Sequence, residues 1–276
     1  MTLPDGRVLE GRSVGPSTGR PVLFIAGAGT GKSMVFGNDL LNELGVRLLC
    51  ADRPGMGGST PDIGRTADST AADYAAFVAA VLGGPGRPLP VVANSQGSVF
   101  GLALAAAGGA SVLLLVSPAD DVAHPRVREL LAAQPAGLVD LVNSDGSAAA
   151  DLLHGFTAAD MERFVLDSAS ARDRAVYTDA AFAAVFRLAL AEGFAGNGLG
   201  YVTDTLIAMT RWTVDFGSIR TPTTILMGSD DLTHSPDQGE FLASRIPAAE
   251  RHVIPHAGGS LLWTHARQVL LAAIDR

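Results

Sequence analysis

The sequence has little cysteine and no clusters of basic residues, and both absences exclude classes of function. Its one cysteine, Cys50, lies in an apolar run, so a buried, inert thiol is expected there and no disulfide can form within the chain. The net charge is -8, without basic runs, so nothing in the sequence attracts a phosphate backbone or an anionic membrane surface. We therefore expect neither nucleic acid nor a membrane as a partner.

The sequence also lacks the pattern of a secretory leader and an uninterrupted membrane span. The first residues carry an early acid, Asp5, and no apolar segment after a basic start, so a cytoplasmic protein is expected. The uncharged stretch 99–116 is long enough to suggest a span, but Gly108 and Gly109 divide it into an alanine-rich segment and a strand-like run. A helix, a turn and a buried strand are predicted instead.

Short apolar runs bounded by glycine, proline or aspartate recur along the chain, which has 276 residues and is 47% hydrophobic. Such runs are typical of the buried strands of a parallel sheet. Segments with helical spacing separate most of them, which implies right-handed crossovers with helices on both faces. The predicted strands are 21–26, 46–51, 89–93, 112–116, 223–227 and 251–254, and the predicted helices are 34–44, 67–82, 99–107, 237–246 and 261–274.

The alternation of strands and helices stops between Val116 and Thr223. This interval holds several amphipathic segments, and none resembles a buried strand. We predict a mostly parallel sheet flanked by helices, with residues 1–118 and 218–276 as the core and residues 119–217 as an inserted helical cap. The amphipathic segments are 126–133, 158–166, 179–192 and 201–212.

A predicted strand runs into a helix through Ala93-Asn94-Ser95-Gln96-Gly97, which has the pattern small-x-Ser-x-Gly. In such a sharp turn the residues two positions before and after the serine must be small, because larger side chains collide with the neighbouring strand or helix. The turn lifts the hydroxyl above the sheet, and the N–H of Gln96 points to where an oxyanion would form. Ser95 is therefore a candidate nucleophile; a turn without chemistry is the alternative.

Two further segments occur with this turn in the order and spacing of one family. Ala26-Gly27-Ala28-Gly29-Thr30-Gly31 follows the first predicted strand, and Asp52-Arg53-Pro54-Gly55-Met56-Gly57-Gly58-Ser59 follows the second. With these segments the sequence resembles the α/β-hydrolase superfamily, particularly its capped esterase, haloperoxidase-like and proline-iminopeptidase-like branches. The resemblance implies that the Ala28 N–H is the second oxyanion donor and that the Asp-x-x-Gly-x-Gly-x-Ser loop is mainly structural.

The strand beyond the cap ends in Met227-Gly228-Ser229-Asp230-Asp231 and resembles the strand that carries the acid of the family's catalytic triad. The family's acid stands three residues after the glycine, so the resemblance implies Asp231, with Asp230 as its neighbour. Two solvated carboxylates at a strand end are the alternative interpretation. Asp120 and Asp121, after the preceding strand, are a second choice because some members place the acid there.

A competing interpretation comes from residues 26–33, which follow a strand and satisfy a relaxed phosphate-loop pattern ending in Gly31-Lys32-Ser33. Asp52 and the residues after it even mimic the acidic strand end of a nucleotide hydrolase. A nucleotide-binding loop, however, leads straight into a long helix, and residues 34–39 are a poor helix start. Because the hydrolase interpretation also explains the serine turn and the late aspartate, we favour it.

The histidine that activates the serine in this family is missing from its usual position. A serine hydroxyl is barely ionised at neutral pH and needs a base within hydrogen-bond reach. The family has Pro-x-x-Gly-His after the last strand, and this sequence has Gly259 at the histidine position. His256, three residues upstream, is the first candidate for a substitute base. His234 follows Asp231 by three residues and could approach from the acid loop, while His265 lies on the following helix.

The residues and the resemblance together predict an enzyme that acts on an ester, thioester, lactone or related acyl compound. A small molecule is the expected partner, and no cofactor or metal is implied. A hydrolase-fold lyase or cyclase and a ligand-binding protein with a degenerate triad are the alternatives, since fold alone does not fix function. The predicted roles are Ser95 as nucleophile, Ala28 and Gln96 as oxyanion donors, Asp231 as acid and His256 as base.

Overall fold

The strands of the protein form one mixed sheet in a computed structural model that describes residues 1–84, 87–231, 233–247 and 249–275. The strands are β1 (Gly11–Val14), β2 (Arg20–Ile25), β3 (Val46–Ala51), β4 (Leu89–Ser95), β5 (Ala110–Pro118), β6 (Thr223–Gly228) and β7 (Ala249–Ile254). Their order in the sheet is β1-β3-β2-β4-β5-β6-β7. Only β1 runs antiparallel to its neighbour, β3, among these strands.

Helices cover both faces of this sheet. In β2, Leu23 and Ile25 pack with one set of helices, whereas Val22 and Phe24 pack with another on the opposite face. All four side chains are buried, which explains why the strand is apolar without alternation. The α-helices of the described residues are α1 (Asn38–Leu44), α2 (Ala67–Leu82), α3 (Gly97–Ala106), α4 (Pro125–Arg128), α5 (Ala133–Ser144), α6 (Gly146–His154), α7 (Ala158–Ser168), α8 (Ala171–Tyr177), α9 (Ala180–Gly193), α10 (Leu199–Met209), α11 (Glu240–Arg245), α12 (Leu261–Thr264) and α13 (Ala266–Ile274).

The six predicted strands are confirmed, each with ends within about two residues of the prediction. The sequence did not indicate β1. This edge strand exposes Gly11, Arg12 and Ser13, so it has no apolar run to mark it. The uncharged stretch 99–116 is α3, a turn and β5, as predicted, and no helix among the described residues has both the length and the apolar character that a membrane crossing needs.

Helix ends follow local chemistry. The predicted helix 67–82 is α2, which begins with a capping box between Thr66 and Ser69 and ends at Gly83 with φ 74°. The predicted helix 34–44 begins only at Asn38, because Gly37 adopts φ 66° and the apolar residues before it are buried as a loop. The predicted helix 261–274 is two helices, divided at His265, whose backbone leaves the helical region.

The interval between β5 and β6 holds seven α-helices, α4 to α10, and two short 3-10 helices, without a strand. We keep the name cap for residues 119–217; its extent as a unit stays a prediction. The backbone N–H of Gly31 donates to the carbonyl of Ala189, and the N–H of Gly57 to that of Glu192. The end of α9 therefore lies against the loops that follow β2 and β3, at the carboxyl edge of the sheet.

Candidate active site

Ser95 ends β4 and stands in a strained turn. Its φ is 52°, in the left-handed region that non-glycine residues rarely adopt. Gln96 then caps α3, and Gly97 is the first residue of that helix. A Cβ at Gly97 would lie 2.6 Å from the carbonyl oxygens of Ile25 and Ala26, so the position admits only glycine. This is the sharp strand-to-helix turn that the sequence predicted.

The glycine-rich loop after β2 lies beside the serine. A Cβ at Gly27 would be 3.1 Å from the Cβ of Ser95, which places the two backbones in contact range. Among the described residues, no protein acceptor pairs with the N–H of Ala28. Ala28 and Ser95 both line one cavity, while Gln96 is buried directly beside it at the start of α3. The arrangement leaves the Ala28 N–H available for a ligand oxygen.

Asp231 and His234 form a close pair on the loop after β6. The Nδ1 atom of His234 lies 2.9 and 2.8 Å from the two carboxylate oxygens of Asp231. The N–H and hydroxyl of Thr233 also donate to Oδ1 of Asp231, each at 3.2 Å. The carboxylate is completely covered, whereas the imidazole keeps 19% of its surface exposed. Asp231 therefore holds the imidazole by Nδ1, and no described residue forms a hydrogen bond with its other ring nitrogen.

The contact between Asp231 and His234 shifts the pKa of both groups. Burial alone would raise the pKa of the Asp231 carboxyl, but the His234 imidazole and the Thr233 N–H outweigh burial and bring it down to about 2. Burial likewise acts to lower the pKa of His234, but the charge and hydrogen bond of Asp231, with the charge of Asp173, raise it above its ordinary value. At neutral pH the Asp231 carboxylate is therefore ionised beside the imidazole.

Gly259 does not leave an empty space. A Cβ at this position would lie 3.2 Å from Cε1 and 3.5 Å from Nδ1 of His234, and 3.7 Å from Oδ1 of Asp231. The ring of His234 therefore fills the space in front of the position where the family carries its histidine. An imidazole is present at this site, but it enters from the acid loop and not from the loop after β7.

His256, the base predicted first, is placed elsewhere. Its backbone has φ 58°, its N–H donates to the Ser229 hydroxyl at 2.8 Å, and its side chain is exposed. It is absent from the lining of the cavity at Ser95, whereas His234 is part of it. The prediction of His256 as base is corrected on this geometry, because the turn directs its side chain to solvent. His265 is bonded to the neighbouring Thr264 hydroxyl and also lies outside the lining.

The cap adds a carboxylate that sequence reasoning missed. Asp173, on α8, is buried and accepts a hydrogen bond from the N–H of Ser260 at 2.9 Å. A Cβ at Gly258 would lie 2.0 Å from the Asp173 carboxylate, so Gly258 admits Asp173 as Gly259 admits His234. The sequence signal around Asp173, a serine three residues earlier at Ser170, indicates only a helix start.

These residues surround a cavity of about 190 Å³ between the cap and the carboxyl edge of the sheet. Its apolar wall combines side chains of the cap with Met34 and Trp263 of the core, and its charged groups are carboxylates. Among the described residues of the lining there is no lysine or arginine. The apolar cap residues of the lining are Met161, Phe164, Val165, Ala169, Tyr177 and Phe186, and the acidic residues are Asp173, Asp230 and Asp231.

The second choice for the acid has other partners. Asp120 accepts from the hydroxyl of Ser235 at 2.8 Å, and burial raises its pKa to about 6. Asp121 pairs with Arg211 and Arg245 and accepts from the N–H of Trp212. Asp120 thus holds Ser235, the residue after His234, by a hydrogen bond. Asp121 connects Arg211, near the end of the cap, to Arg245 of the core. Neither lines the cavity at Ser95.

The phosphate-loop interpretation fails on the partners of the loop. The N–H groups of Gly31, Lys32 and Ser33 donate to the Ala189 carbonyl, to Asp52 and to Glu192. The Lys32 ammonium contacts the carboxylates of Asp52, Glu192 and a third residue, Glu10, at 2.8 to 3.2 Å. The Lys32 ammonium and the N–H groups of Gly31, Lys32 and Ser33, which a bound phosphate would need, are therefore bound to acceptors within the protein.

Other reactive groups carry no site within the described chain. The residues placed by the structure include no group of three or more His, Cys, Asp or Glu side chains arranged to hold a metal ion. Burial raises the pKa of the Cys50 thiol to about 12, so it is inert, as the sequence predicted. The candidate reactive groups of the cavity are therefore Ser95, His234 and the carboxylates around them.

Comparison with known proteins agrees with this architecture. A model of the alpha/beta hydrolase family matches residues 22–273, whereas no curated protein matched the chain. Similar solved structures include a carboxylesterase of Nitrososphaera gargenis (14% identity, TM-score 0.70, covering 100% of this chain and 97% of that one), a bromoperoxidase of Bacillus anthracis (20%, 0.70, 98% and 96%) and the enol-lactonase of Burkholderia xenovorans LB400 (19%, 0.64, 98% and 96%). At these identities the likeness to each structure concerns the fold. Because the family model spans nearly the whole chain, the protein belongs to the alpha/beta hydrolase family.

Proposed function

We propose that the protein is a serine hydrolase that cleaves small, uncharged esters or lactones through an acyl-enzyme on Ser95. The single observation that carries this proposal is the His234–Asp231 pair, with Nδ1 of the imidazole 2.8 and 2.9 Å from the carboxylate, in the cavity that Ser95 lines. A serine, an imidazole and an orienting carboxylate are the three groups that acyl transfer needs. The base in this proposal is His234.

The proposed reaction has two halves. The Ser95 hydroxyl attacks the substrate carbonyl carbon and passes its proton to the free ring nitrogen of His234, while the carbonyl oxygen becomes an oxyanion bound by the N–H groups of Ala28 and Gln96. The imidazolium gives this proton to the leaving alcohol, and an acyl ester remains on Ser95. Water then attacks the acyl carbon by the same route, which releases the acid and restores the hydroxyl.

The lining of the cavity supports the choice of substrate class. Its acidic residues and the absence of lysine and arginine from its described lining disfavour carboxylate or phosphate substrates, since like charges repel in a site of low dielectric. The apolar wall favours an alkyl or aryl acyl group. A volume of about 190 Å³ suits a group of the size of one aromatic ring. A carboxylesterase and an enol-lactonase are among the structures of similar fold.

The test compares two histidines on neighbouring loops. Hydrolysis of p-nitrophenyl butyrate and labelling of Ser95 by a fluorophosphonate are measured for His234→Ala, for His256→Ala and for the unchanged protein. We expect His234→Ala to lower kcat by roughly 10³-fold or more, and His256→Ala to leave it within about twofold. Ser95→Ala removes the labelling and serves as the control for specific reaction.

Two results would contradict the proposal. If His256→Ala abolishes activity and His234→Ala does not, the loop after β7 supplies the base after all. If the unchanged protein neither hydrolyses these esters nor acylates at Ser95, the interpretation as a lyase, a cyclase or a binding protein replaces that of a hydrolase. If both histidine variants lose activity, urea unfolding of each variant shows whether a loss of stability is the cause.

A further inference from the structure

A buried arginine lies directly behind the glycine-rich loop of the site. Arg53 follows β3 and is only 2% exposed. Its Nη1 donates to the carbonyl of Ala26 at 2.9 Å, and its Nη2 donates to the carbonyl of Gly27 at 2.8 Å. One guanidinium thus binds two successive carbonyl groups of the loop in a bidentate manner, which only arginine can do.

The second of these bonds bears on the oxyanion site. The carbonyl of Gly27 and the N–H of Ala28 belong to the same planar peptide group and point in opposite directions. A donor fixed on the Gly27 oxygen therefore fixes the direction of the Ala28 N–H. The Thr30 hydroxyl donates to the same oxygen at 3.1 Å. The positive charge of the guanidinium beside this oxygen also polarises the peptide group, which strengthens the Ala28 N–H as a hydrogen-bond donor.

The cap holds the arginine in place. Asp204, on α10, is fully buried and pairs through one carboxylate oxygen with Nε of Arg53 and through the other with Arg65. Both guanidinium groups also lie over the ring of Phe100. Arg65 donates further to the carbonyl of Gly200 and to Thr70, and among the described residues it forms no hydrogen bond with the loop 26–31. Arg53 is therefore the member of this cluster that reaches the site.

We propose that Arg53 is a positioning residue for the oxyanion site, which sets the orientation of the Gly27–Ala28 peptide and is itself oriented by Asp204 of the cap. The inference rests on the proposed function for its catalytic consequence. The loop 52–59, expected from the family resemblance to be mainly structural, then acts on the reaction through one peptide group. Arg53 of this loop connects Asp204 of the cap to the Gly27–Ala28 peptide group.

The cluster supplies its own matched control. Arg53→Met and Arg65→Met each remove one positive charge beside the Asp204 carboxylate and preserve most of the side-chain volume. Each variant leaves Asp204 with one arginine partner. Only Arg53→Met breaks the bond to the Gly27 carbonyl. Arg53→Lys and Arg65→Lys form a second pair for the case in which a methionine variant does not fold. Lysine keeps the charge but lacks the planar fork that matches the two carbonyls.

Two readouts are measured on each pair. The first is the amide ¹H–¹⁵N resonance of Ala28, which needs no activity. The second is hydrolysis of p-nitrophenyl butyrate, with the inhibition constant of an aryl trifluoromethyl ketone, which forms a charged tetrahedral adduct on the serine. We expect the Arg53 variants to shift the Ala28 resonance and to lower both kcat and ketone affinity by roughly 10- to 100-fold, with KM within about threefold. The Arg65 variants should keep the resonance, kcat and ketone affinity of the unchanged protein.

The outcomes separate this inference from the proposed function. An Ala28 resonance that stays in place in the Arg53 variants overturns the inference, whatever the activity. Equal losses of kcat in the Arg53 and Arg65 variants, in proportion to lost stability, overturn it as well, since both arginines would then serve only the fold. An unchanged protein without esterase activity defeats the proposed function, while the Ala28 resonance still decides the role of Arg53.

Discussion

Substitution of Gly259 tests whether its neighbouring imidazole is the working base. The added Cβ of Gly259→Ala would lie 3.2 Å from Cε1 of His234, whereas carbon atoms pack best at about 3.5 to 4.0 Å. The ring must therefore retreat by roughly 0.3 to 0.8 Å or the loop after β7 must yield by that amount. A misplacement of about 1 Å can cost a factor of 100 in rate, so we expect kcat/KM to fall roughly tenfold. Stability should change by less than about 1 kcal/mol, because the clash is with a partly exposed ring.

The same position distinguishes an occupied site from a vacant one. If Gly259 left a vacancy, Gly259→His would restore a missing base and raise turnover. Because His234 fills the space, Gly259→His should instead displace it and lower turnover below that of Gly259→Ala. The assay is ester hydrolysis normalised to the fraction of Ser95 that a fluorophosphonate can label. A gain in turnover for Gly259→His would refute the argument that the His234 ring fills the space beside Gly259. An unchanged rate for Gly259→Ala, measured together with an inactive His234→Ala, would refute it as well.

Two further predictions concern charge. The proposed reaction needs a neutral imidazole, and the pKa of His234 is raised above its ordinary value, so kcat/KM should fall as the pH drops through that raised pKa. Asp173→Asn removes a negative charge that raises this pKa and should move the acid limb of the pH profile to lower pH. An acid limb that does not move would show that Asp173 does not act on His234. Calorimetric titration with Mg-ATP or Mg-GTP should give no heat of binding. Lys32→Ala should lower the free energy of unfolding by about 1 to 3 kcal/mol, because it removes a partner from the buried Asp52. Nucleotide binding that is lost in Lys32→Ala would show instead that Lys32 and its loop form a nucleotide site.

The elements that the sequence predicted well are those marked by local chemistry. The turn at Ser95 needs small neighbours, and the strand before it is a buried apolar run, so both are visible within ten residues of sequence. The edge strand β1 was missed because an exposed strand needs no apolar run. The break at His265 was missed as well, since apolar spacing continues across it from α12 to α13.

The sequence ranked His256 first as the candidate base, but the position of each histidine depends on how two loops meet. The N–H of Asp230 donates to the carbonyl of Ala257, and this contact brings the loops after β6 and β7 together. Which of His234 and His256 then lines the cavity with Ser95 depends on backbone angles such as the positive φ of His256. Asp173 comes from the cap, about 60 residues before Asp231, and its approach to Gly258 has no signature in the sequence. The catalytic roles of Ser95, Ala28, Gln96 and Asp231 stay predictions, now with a defined geometry.

The Asp231–His234 pair has a consequence for how much of the fold must stay rigid during turnover. When the acid and the base of a triad come from separate loops, their mutual distance depends on the relative motion of those loops. In the proposed mechanism both groups lie on the loop after β6, since Asp231 and His234 are three residues apart, so their contact does not depend on the loop after β7. Gly258 and Gly259 leave room for the Asp173 carboxylate of the cap and for the His234 ring, because neither position has a side chain. Under the proposed mechanism the loop after β7 supplies no catalytic side chain, so a residue other than histidine at position 259 is compatible with activity.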